Sequence, residues 1–541
     1  MLDSRPNVLL VNPRFGTGAF WNFQAACELF GARYPTAPLG LITVAAMLPK
    51  RWNVRLVDRN TAELHDGDLD WADLVMTGGM IPQHLDLTEI IDLCRAHGKP
   101  IAIGGPAVTS VPAAFAKANF RILGEAEAVM DRFAAAWESG VREGVFEAPK
   151  FTIDVTKTPI PRFDLLKFDD YLYVGVQFSR GCPFTCEFCD IIELYGRVPR
   201  TKTNAQMLAE LDRLFELGYR GHVDFVDDNL IGNKKAVKAF LPELTNWLVA
   251  HDYPFEFTTE ASINLADDRD LLRLMNEANF VGVFVGIESP DPETLVQMKK
   301  KQNTRRSIPD SIHRIYAAGM FVTAGFIVGF DSEKGSVADA MVQVIEDSAI
   351  PVTMVGLLVA LPQTQLTRRL TQEGRLHAFP ETAPQGDQCT FGLNFETKRP
   401  RREILLDYRN ILEKVFDPVA YAGRLSRLID MLDNTGRVRQ MQGADSRGRG
   451  KLGNMELVQR LTARLPEPKR LFWETFMQCM KTNPKSARYI VLLLALYTHL
   501  GPFSRYVMDR IDQLIADLDE AEPLQQSPAS NRAPAFSIGE A

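Results

Sequence analysis

The chain has 541 residues, too many for one hydrophobic core and enough for about three domains. Its 46% hydrophobic and 24% charged content describes a folded globular protein and excludes a disordered or fibrous one. A net charge of −7 argues against nucleic acid as a partner, and the basic runs Lys299-Lys300-Lys301 and Arg305-Arg306 read as a solvated helix face and loop. Seven cysteines in a chain whose start, Met1 to Pro6, is short and polar read as reduced, cytosolic thiols rather than a disulfide framework.

The first segment, 1–147, alternates short apolar strands with helices. Val8-Leu-Leu-Val11 is a strand ending in Asn12-Pro13-Arg14, and Leu39 to Leu48 has helical spacing. Val54-Arg-Leu-Val57 ends at Asp58, and Leu74-Val-Met-Thr77 ends in Gly78-Gly79. A helix from Leu87 to His97 precedes Ile101-Ala-Ile103, which ends in Gly104-Gly105-Pro106, and Ile122 with Gly124-Glu125 closes a fifth unit. Short apolar strands each followed by a helix predict a parallel, doubly wound sheet. Glycines at its carboxyl edge let a ligand approach the backbone. No G-x-G-x-x-G follows the first strand, so a dinucleotide is not indicated. Residues 148–170 form an extended linker marked by Pro159 and Pro161.

The second segment, 171–395, opens with an apolar, strand-like run from Tyr171 to Phe178 and then Cys182-Pro183-Phe184-Thr185-Cys186-Glu187-Phe188-Cys189. Three thiolates at C-x3-C-x2-C spacing on one loop can hold three irons of a four-iron cluster and leave the last iron open to a small molecule. Structural zinc is the alternative, but it wants a fourth ligand, and Cys27, Cys94, Cys389 and Cys479 are scattered singly. Strand and helix then repeat. Val223 to Val226 ends in Asp227-Asp228-Asn229, Phe255 to Thr259 in Glu260, Val281 to Val285 in Gly286-Ile287-Glu288, and Phe321 to Val328 in Gly329. With Val352 to Leu358 this makes about six units, a partial, TIM-like (β/α)6 barrel whose polar strand ends mark the catalytic mouth. Two plainer roles stay open: Asp227 and Asp228 as a helix N-cap pair, and Glu288 as a structural ion-pair partner.

The third segment, 396–520, is helical, with apolar spacing in Ile404–Val415, Tyr421–Leu432, Met455–Leu465, Arg470–Lys481, Ala487–Leu500 and Arg505–Leu518. Thr435 to Gly453 reads as a mobile loop and 521–541 as a disordered tail. The apolar run Tyr489 to Tyr497 is shorter than a bilayer span and reads as a buried helix; a substrate channel or a membrane-surface contact is the sharper alternative.

The cysteine loop resembles that of radical S-adenosylmethionine enzymes. The whole chain resembles the cobalamin-binding branch of that family, with a helical C-terminal domain like that of hopanoid and bacteriochlorophyll side-chain methylases. Cys189-Asp190-Ile-Ile-Glu193-Leu-Tyr195-Gly196-Arg197 and Phe225-Val-Asp227-Asp228-Asn229 carry the resemblance. It implies an α/β fold: a Rossmann-like cobalamin-binding domain, a radical barrel and an α-helical domain. It also implies a cluster on Cys182, Cys186 and Cys189, with Phe188 shielding it from water. S-adenosylmethionine would meet Asp227, Asp228 and Asn229 through its amino group, and Glu260 and Glu288 through its ribose. Gly325, Ile327 and Gly329 match a G-x-I-x-G motif that contacts adenine. Tyr195 and Arg197 would position the adenosyl group or the substrate, or serve only as loop packing. Asn12, Gly78, Gly79, Gly104 and Gly105 would line the cobalamin edge, with Gln83 and His84 nearest the lower face of cobalt.

One departure matters. The family's D-x-H-x-x-G is here Asp58-Arg59-Asn60-Thr61-Ala62-Glu63, so the histidine that would ligate cobalt is an asparagine. Retained cobalamin binding without a strong lower ligand is one outcome, and a domain reduced to packing is the other. The resemblance implies methylation of an unactivated carbon on a bulky, apolar, hopanoid-like or tetrapyrrole-like substrate, with a flavodoxin or ferredoxin as reductant. The rivals are a radical enzyme that catalyses a cyclisation or rearrangement, and a non-catalytic iron–sulfur electron carrier.

Overall fold

A computed structural model describes residues 5–16, 18–377, 387–433, 453–465, 467–521 and 536–537. The glycine- and arginine-rich stretch 435–452 and most of the tail beyond Pro523 lie outside the described residues.

Seven strands come from the first segment: β1 (Asn7–Asn12), β2 (Tyr34–Thr36), β3 (Asn53–Asp58), β4 (Leu74–Gly78), β5 (Ile101–Gly104), β6 (Phe120–Leu123) and β7 (Gly144–Glu147). Six of them form a parallel sheet in the order β3-β1-β4-β5-β6-β7. Val8, Leu9, Leu10 and Val11 are all fully buried because β1 is covered on both faces. The helices Leu39–Met47 and Met130–Glu138 pack on one side, and His84–Ala96 and Pro106–Ser110 on the other. The edge strand β7 escaped the sequence reading: only alternate residues face inward, and Val145 is exposed.

The second sheet is also parallel. It contains β8 (Tyr171–Val176), β11 (Gly221–Phe225), β12 (Phe255–Glu260), β13 (Phe280–Glu288), β14 (Phe321–Val328) and β15 (Val352–Leu357). Two short strands, β9 (Ser179–Arg180) and β10 (Arg200–Thr201), form an antiparallel ribbon beside it. The sheet order is β15-β14-β13-β12-β11-β8-β2. The expected six units are therefore joined by a seventh strand from the N-terminal segment, since Tyr34 pairs with Tyr171 and Thr36 with Tyr173. Three residues are too few to show a period, so β2 left no signal in the sequence.

The helical segment is fused to the barrel, because one continuous core runs from Phe20 through the strands to Ile515. Its last two expected helices are one helix, Ala487–Ala521, that passes through Pro502. Leu500, Phe503, Val507 and Ile511 bury one stripe across the proline and hold the helix together despite the lost hydrogen bond. The chain does hold a helix long and apolar enough to cross a membrane, Pro484–Glu520, but 67% of its most apolar window is buried inside the protein.

Candidate active site

The cysteine loop leaves the β9–β10 ribbon at the carboxyl mouth of the barrel. Its first residue, Gly181, has φ +96°, and a Cβ there would lie 2.9 Å from the Gly196 carbonyl. The loop closes on itself through Cys182 N–H to the Gly196 carbonyl (3.2 Å) and Cys189 N–H to the Cys186 carbonyl (3.2 Å). Cys186 is buried, and Cys182 and Cys189 are half-buried. Burial pushes the Cys182 and Cys189 thiols up, and the other cysteines of the loop push them further. Ionising these two thus calls for a cationic group beside them. Asn229 Nδ2 donates to Cys182 Sγ at 3.9 Å, and Gln302 Nε2 to Cys186 Sγ at 3.8 Å. Phe188 meets the Phe330 ring edge-on at 6.0 Å.

Asp227, Asp228 and Asn229 follow β11 and hold this loop. The Asp227 carboxylate accepts from Phe178 N–H at 2.9 Å and from both Ser179 N–H and Ser179 Oγ at 2.5 Å, so both its oxygens face the ribbon. Asp228 Oδ2 accepts from Gly181 N–H at 2.9 Å. Asn229 Oδ1 accepts from Ser262 N–H at 3.2 Å, which aims its amide at Cys182. Burial pushes Asp227 up to about 7 and Asp228 up to about 6. The N-cap role is not what these aspartates do, since their partners lie in the cysteine loop and the strand before it rather than in the turn that follows.

Glu260 ends β12 and opens into the mouth. The enclosing walls push it up to about 8, with Asp224, Asp228 and Asp227 adding repulsion. Its surface remains open to the cleft, so it is a carboxyl group short of a cation rather than one sealed in the core. Glu288 differs: it is buried at φ +68° and bonds Lys300 Nζ at 2.6 Å. That is the structural ion pair, and against the pull of burial Glu288 holds Lys300 charged, with Cys186 and Cys189 adding to it. Gly325 makes room for the Phe284 ring, 3.1 Å from where a Cβ would stand. Ile327 is half-buried, and Gly329 needs its φ of +106° while donating to Glu333 Oε1 at 2.9 Å. Tyr195 is half-buried near Asp228 and Arg180, whereas Arg197 is exposed.

At the carboxyl edge of the first sheet, Asn12 Nδ2 bonds Asp58 Oδ1 at 3.0 Å. The glycines meet one another: a Cβ on Gly78 would lie 2.9 Å from the Gly104 carbonyl, and one on Gly105 would lie 3.0 Å from Gly79 N. Their first role is therefore the close approach of two strand ends. Gln83 Nε2 is held by the Pro13 carbonyl at 2.7 Å. His84 is buried, with its ring 4.7 Å from that of Phe115.

Sequence reasoning missed the groups that join the two sheets. Glu125, just past β6, pairs with Arg180 at 3.1 Å and Arg200 at 2.8 Å, and Glu127 pairs with Arg180 at 2.7 Å. Arg180 and Arg200 face each other in the β9–β10 ribbon, at the neck of the cysteine loop. A cavity of about 220 Å3 opens beside them, lined by Thr109, Gly124, Glu125, Phe151, Glu193 and Gln363 among others. Only the charge pattern could have flagged these residues, and they lie far apart in the chain.

The site fits an iron–sulfur cluster. Three thiols share one loop, two of them (Cys182 and Cys186) receive N–H···S bonds, and among the described residues no three His, Cys, Asp or Glu side chains converge on a point fit for a single ion. Thiolates around one zinc would sit about 3.8 Å apart, given Zn–S distances of about 2.3 Å. A carboxylate-lined mouth next to the cluster suits a cationic ligand. The first sheet presents a side-chain-free glycine edge, beside which Gln83 is held by the Pro13 carbonyl.

Two family models match the chain: the radical SAM superfamily over residues 176–343, and a domain of unknown function over residues 364–513. The matched barrel and cysteine loop define a radical S-adenosylmethionine enzyme. The chain is 49% identical to an uncharacterised methyltransferase of Synechocystis sp., over 77% of each chain. It is 40% identical to the hopanoid C-2 methylase of Rhodopseudomonas palustris, over 68% of this chain and 71% of that one. The fold resembles the cobalamin-dependent S-adenosylmethionine radical enzyme OxsB, with a TM-score of 0.58 at 15% identity, covering 97% of this chain and 82% of that one. The chain belongs to the family of radical S-adenosylmethionine methyltransferases that includes the hopanoid C-2 methylase.

Proposed function

We propose that this protein methylates an unactivated carbon of a bulky, apolar substrate of the hopanoid or tetrapyrrole class. The observation that carries the reading is the cysteine loop fixed by Asp227, Asp228 and Asn229 at the barrel mouth and joined through Arg180 to Glu125 of the first sheet. When bound, the cluster and S-adenosylmethionine supply a hydrogen-abstracting adenosyl radical, and cobalamin supplies the methyl group. Cys182, Cys186 and Cys189 hold the cluster. Asp228, with one oxygen still open, and Glu260 receive the ammonium and ribose of S-adenosylmethionine, and Asp227 keeps the loop in place. The strand from Gly325 to Gly329 forms the adenine wall. Asn12, Gly78, Gly79, Gly104 and Gly105 form the corrin edge, and Gln83 and His84 stiffen it from behind.

The substrate side is aromatic. Trp21 is 38% exposed and meets Phe284 edge-on at 5.6 Å, and Phe20 and Phe503 pack behind it. An exposed indole among such rings favours an apolar, polycyclic partner and keeps water from the radical. Tyr195 and Arg197 stand at the rim, with Tyr195 orienting the adenosyl group. The test is anaerobic turnover with hopene-type and chlorophyllide-type substrates, followed by product analysis. Formation of 5′-deoxyadenosine and S-adenosylhomocysteine in equal amounts with a methylated product supports the reading. Deoxyadenosine without S-adenosylhomocysteine overturns it.

A further inference from the structure

The basic run 299–305 has a structural context that a solvated face does not explain. Lys300 and Gln302 turn inward: Lys300 is buried on Glu288, and Gln302 donates to Cys186 Sγ. Lys299, Lys301 and Arg305 turn outward and are exposed. Lys299 Nζ bonds the neutral amide of Gln365 at 2.6 Å. Among the described residues none of the three outward cations is paired with a carboxylate, although the neighbouring Arg306 is paired with Asp267. Lys299 at φ +63° and Arg305 at φ +59° bound the turn, and Met298 binds it to the cysteine loop by accepting from Glu187 N–H at 3.0 Å. A chain of net charge −7 thus places an uncompensated positive patch within three residues of Gln302, whose amide donates to Cys186 Sγ.

We infer that Lys299, Lys301 and Arg305 form the docking surface for an acidic one-electron carrier protein of the flavodoxin or ferredoxin class. The inference rests on the cluster assigned above. Charge complementarity selects the partner and speeds encounter, and the route inward through Gln302 to Cys186 is short. One electron leaves the reduced carrier, which is oxidised by one electron, and the cluster is reduced by one. No covalent bond is made or broken.

The experiment uses the full-length, cluster-loaded protein and a flavodoxin. Binding of oxidised flavodoxin is measured by calorimetry at several salt concentrations, and cluster bleaching by reduced flavodoxin is followed by stopped flow. The expected result is binding that weakens steeply with salt. The variant K299E/K301E/R305E should be reduced at least about tenfold more slowly at low salt, with unchanged iron content and unchanged reduction by a small-molecule reductant. The neutral variant K299Q/K301Q/R305Q should fall between the two, which keeps the test sound if charge reversal impairs folding. Wild-type rates and affinities in both variants would overturn the inference, as would patch-dependent binding to anionic vesicles without carrier binding. Loss of iron from the wild-type protein itself would strike the functional proposal instead.

Discussion

Arg180 and Glu125 meet across the boundary between the two sheets, Nη1 to Oε1 at 3.1 Å, with side chains only 13% and 3% exposed. Glu125 also holds Arg200, so one carboxylate from the first sheet grips both strands of the ribbon that carries the cysteine loop. Domain docking and cluster placement are thus one structural event.

Glu125→Gln should therefore do more than weaken an interface. It leaves the part-buried Arg200 without a carboxylate and Arg180 with Glu127 alone, at a cost of about 3 kcal/mol. The expected outcome is a lower denaturant midpoint together with a changed electron paramagnetic resonance signal of the reduced cluster, with iron content largely kept. A shifted midpoint with an unchanged signal would mean that the pair only glues the domains.

Asp227→Asn replaces two acceptor oxygens with one, and Phe178 N–H and Ser179 N–H both need an acceptor. One buried donor is left unmatched, costing about 1–3 kcal/mol. Iron per chain after reconstitution should fall, because the strand entering the cysteine loop loses its anchor. Full iron loading would show that the loop is held by other means.

Asn229→Leu removes the N–H···S bond to Cys182 while filling the space. Such bonds stabilise the reduced, more negative cluster. The reduction potential should drop on the order of tens of millivolts, as read by potentiometric titration. An unchanged potential would place Asn229 in the scaffold alone.

The mouth carboxylates set a pH dependence with a definite sign. Glu260, at about 8 in the fold against 4.5 ordinarily, holds a proton that the unfolded chain has released. Between those values the folded state binds more protons, so the ligand-free protein loses stability as pH rises and levels off above about pH 8. A cationic ligand prefers the ionised carboxylate. S-adenosylmethionine should therefore bind more tightly as pH rises from 6 to 8, by at most about tenfold per unit, with proton release. Glu260→Gln should flatten the profile. Affinity independent of pH in the wild type would remove Glu260 from the site.

The sequence made legible what is local. The cysteine spacing, the strand-end carboxylates and the strand–helix alternation all lie within short windows, and the sheets and cysteine loop stand where those windows point. Contacts between distant residues were not legible. The strand Tyr34–Thr36 joins the barrel only through pairing with β8, and Glu125 means little until Arg180 and Arg200 fold onto it. Gly78 and Gly104 looked like a ligand's clearance, yet Gly78 also accommodates the Gly104 carbonyl and Gly104 the Ile122 carbonyl. The apolar spacing gave two helices, Ala487–Leu500 and Arg505–Leu518, but burial of one stripe across Pro502 makes them one. Lys300 and Gln302 were hidden beside Lys299, Lys301 and Arg305, which face water.

The most direct test is a metal count and absorption spectrum of protein purified anaerobically from cobalamin-supplied cells, beside the variant Cys182→Ala. The account predicts about four irons and one cobalt per chain in the wild type, a spectrum without a nitrogenous lower ligand, and cobalt retained but iron lost in the variant. Four irons without cobalt in the wild type would contradict it and leave the first sheet a scaffold for a different radical reaction.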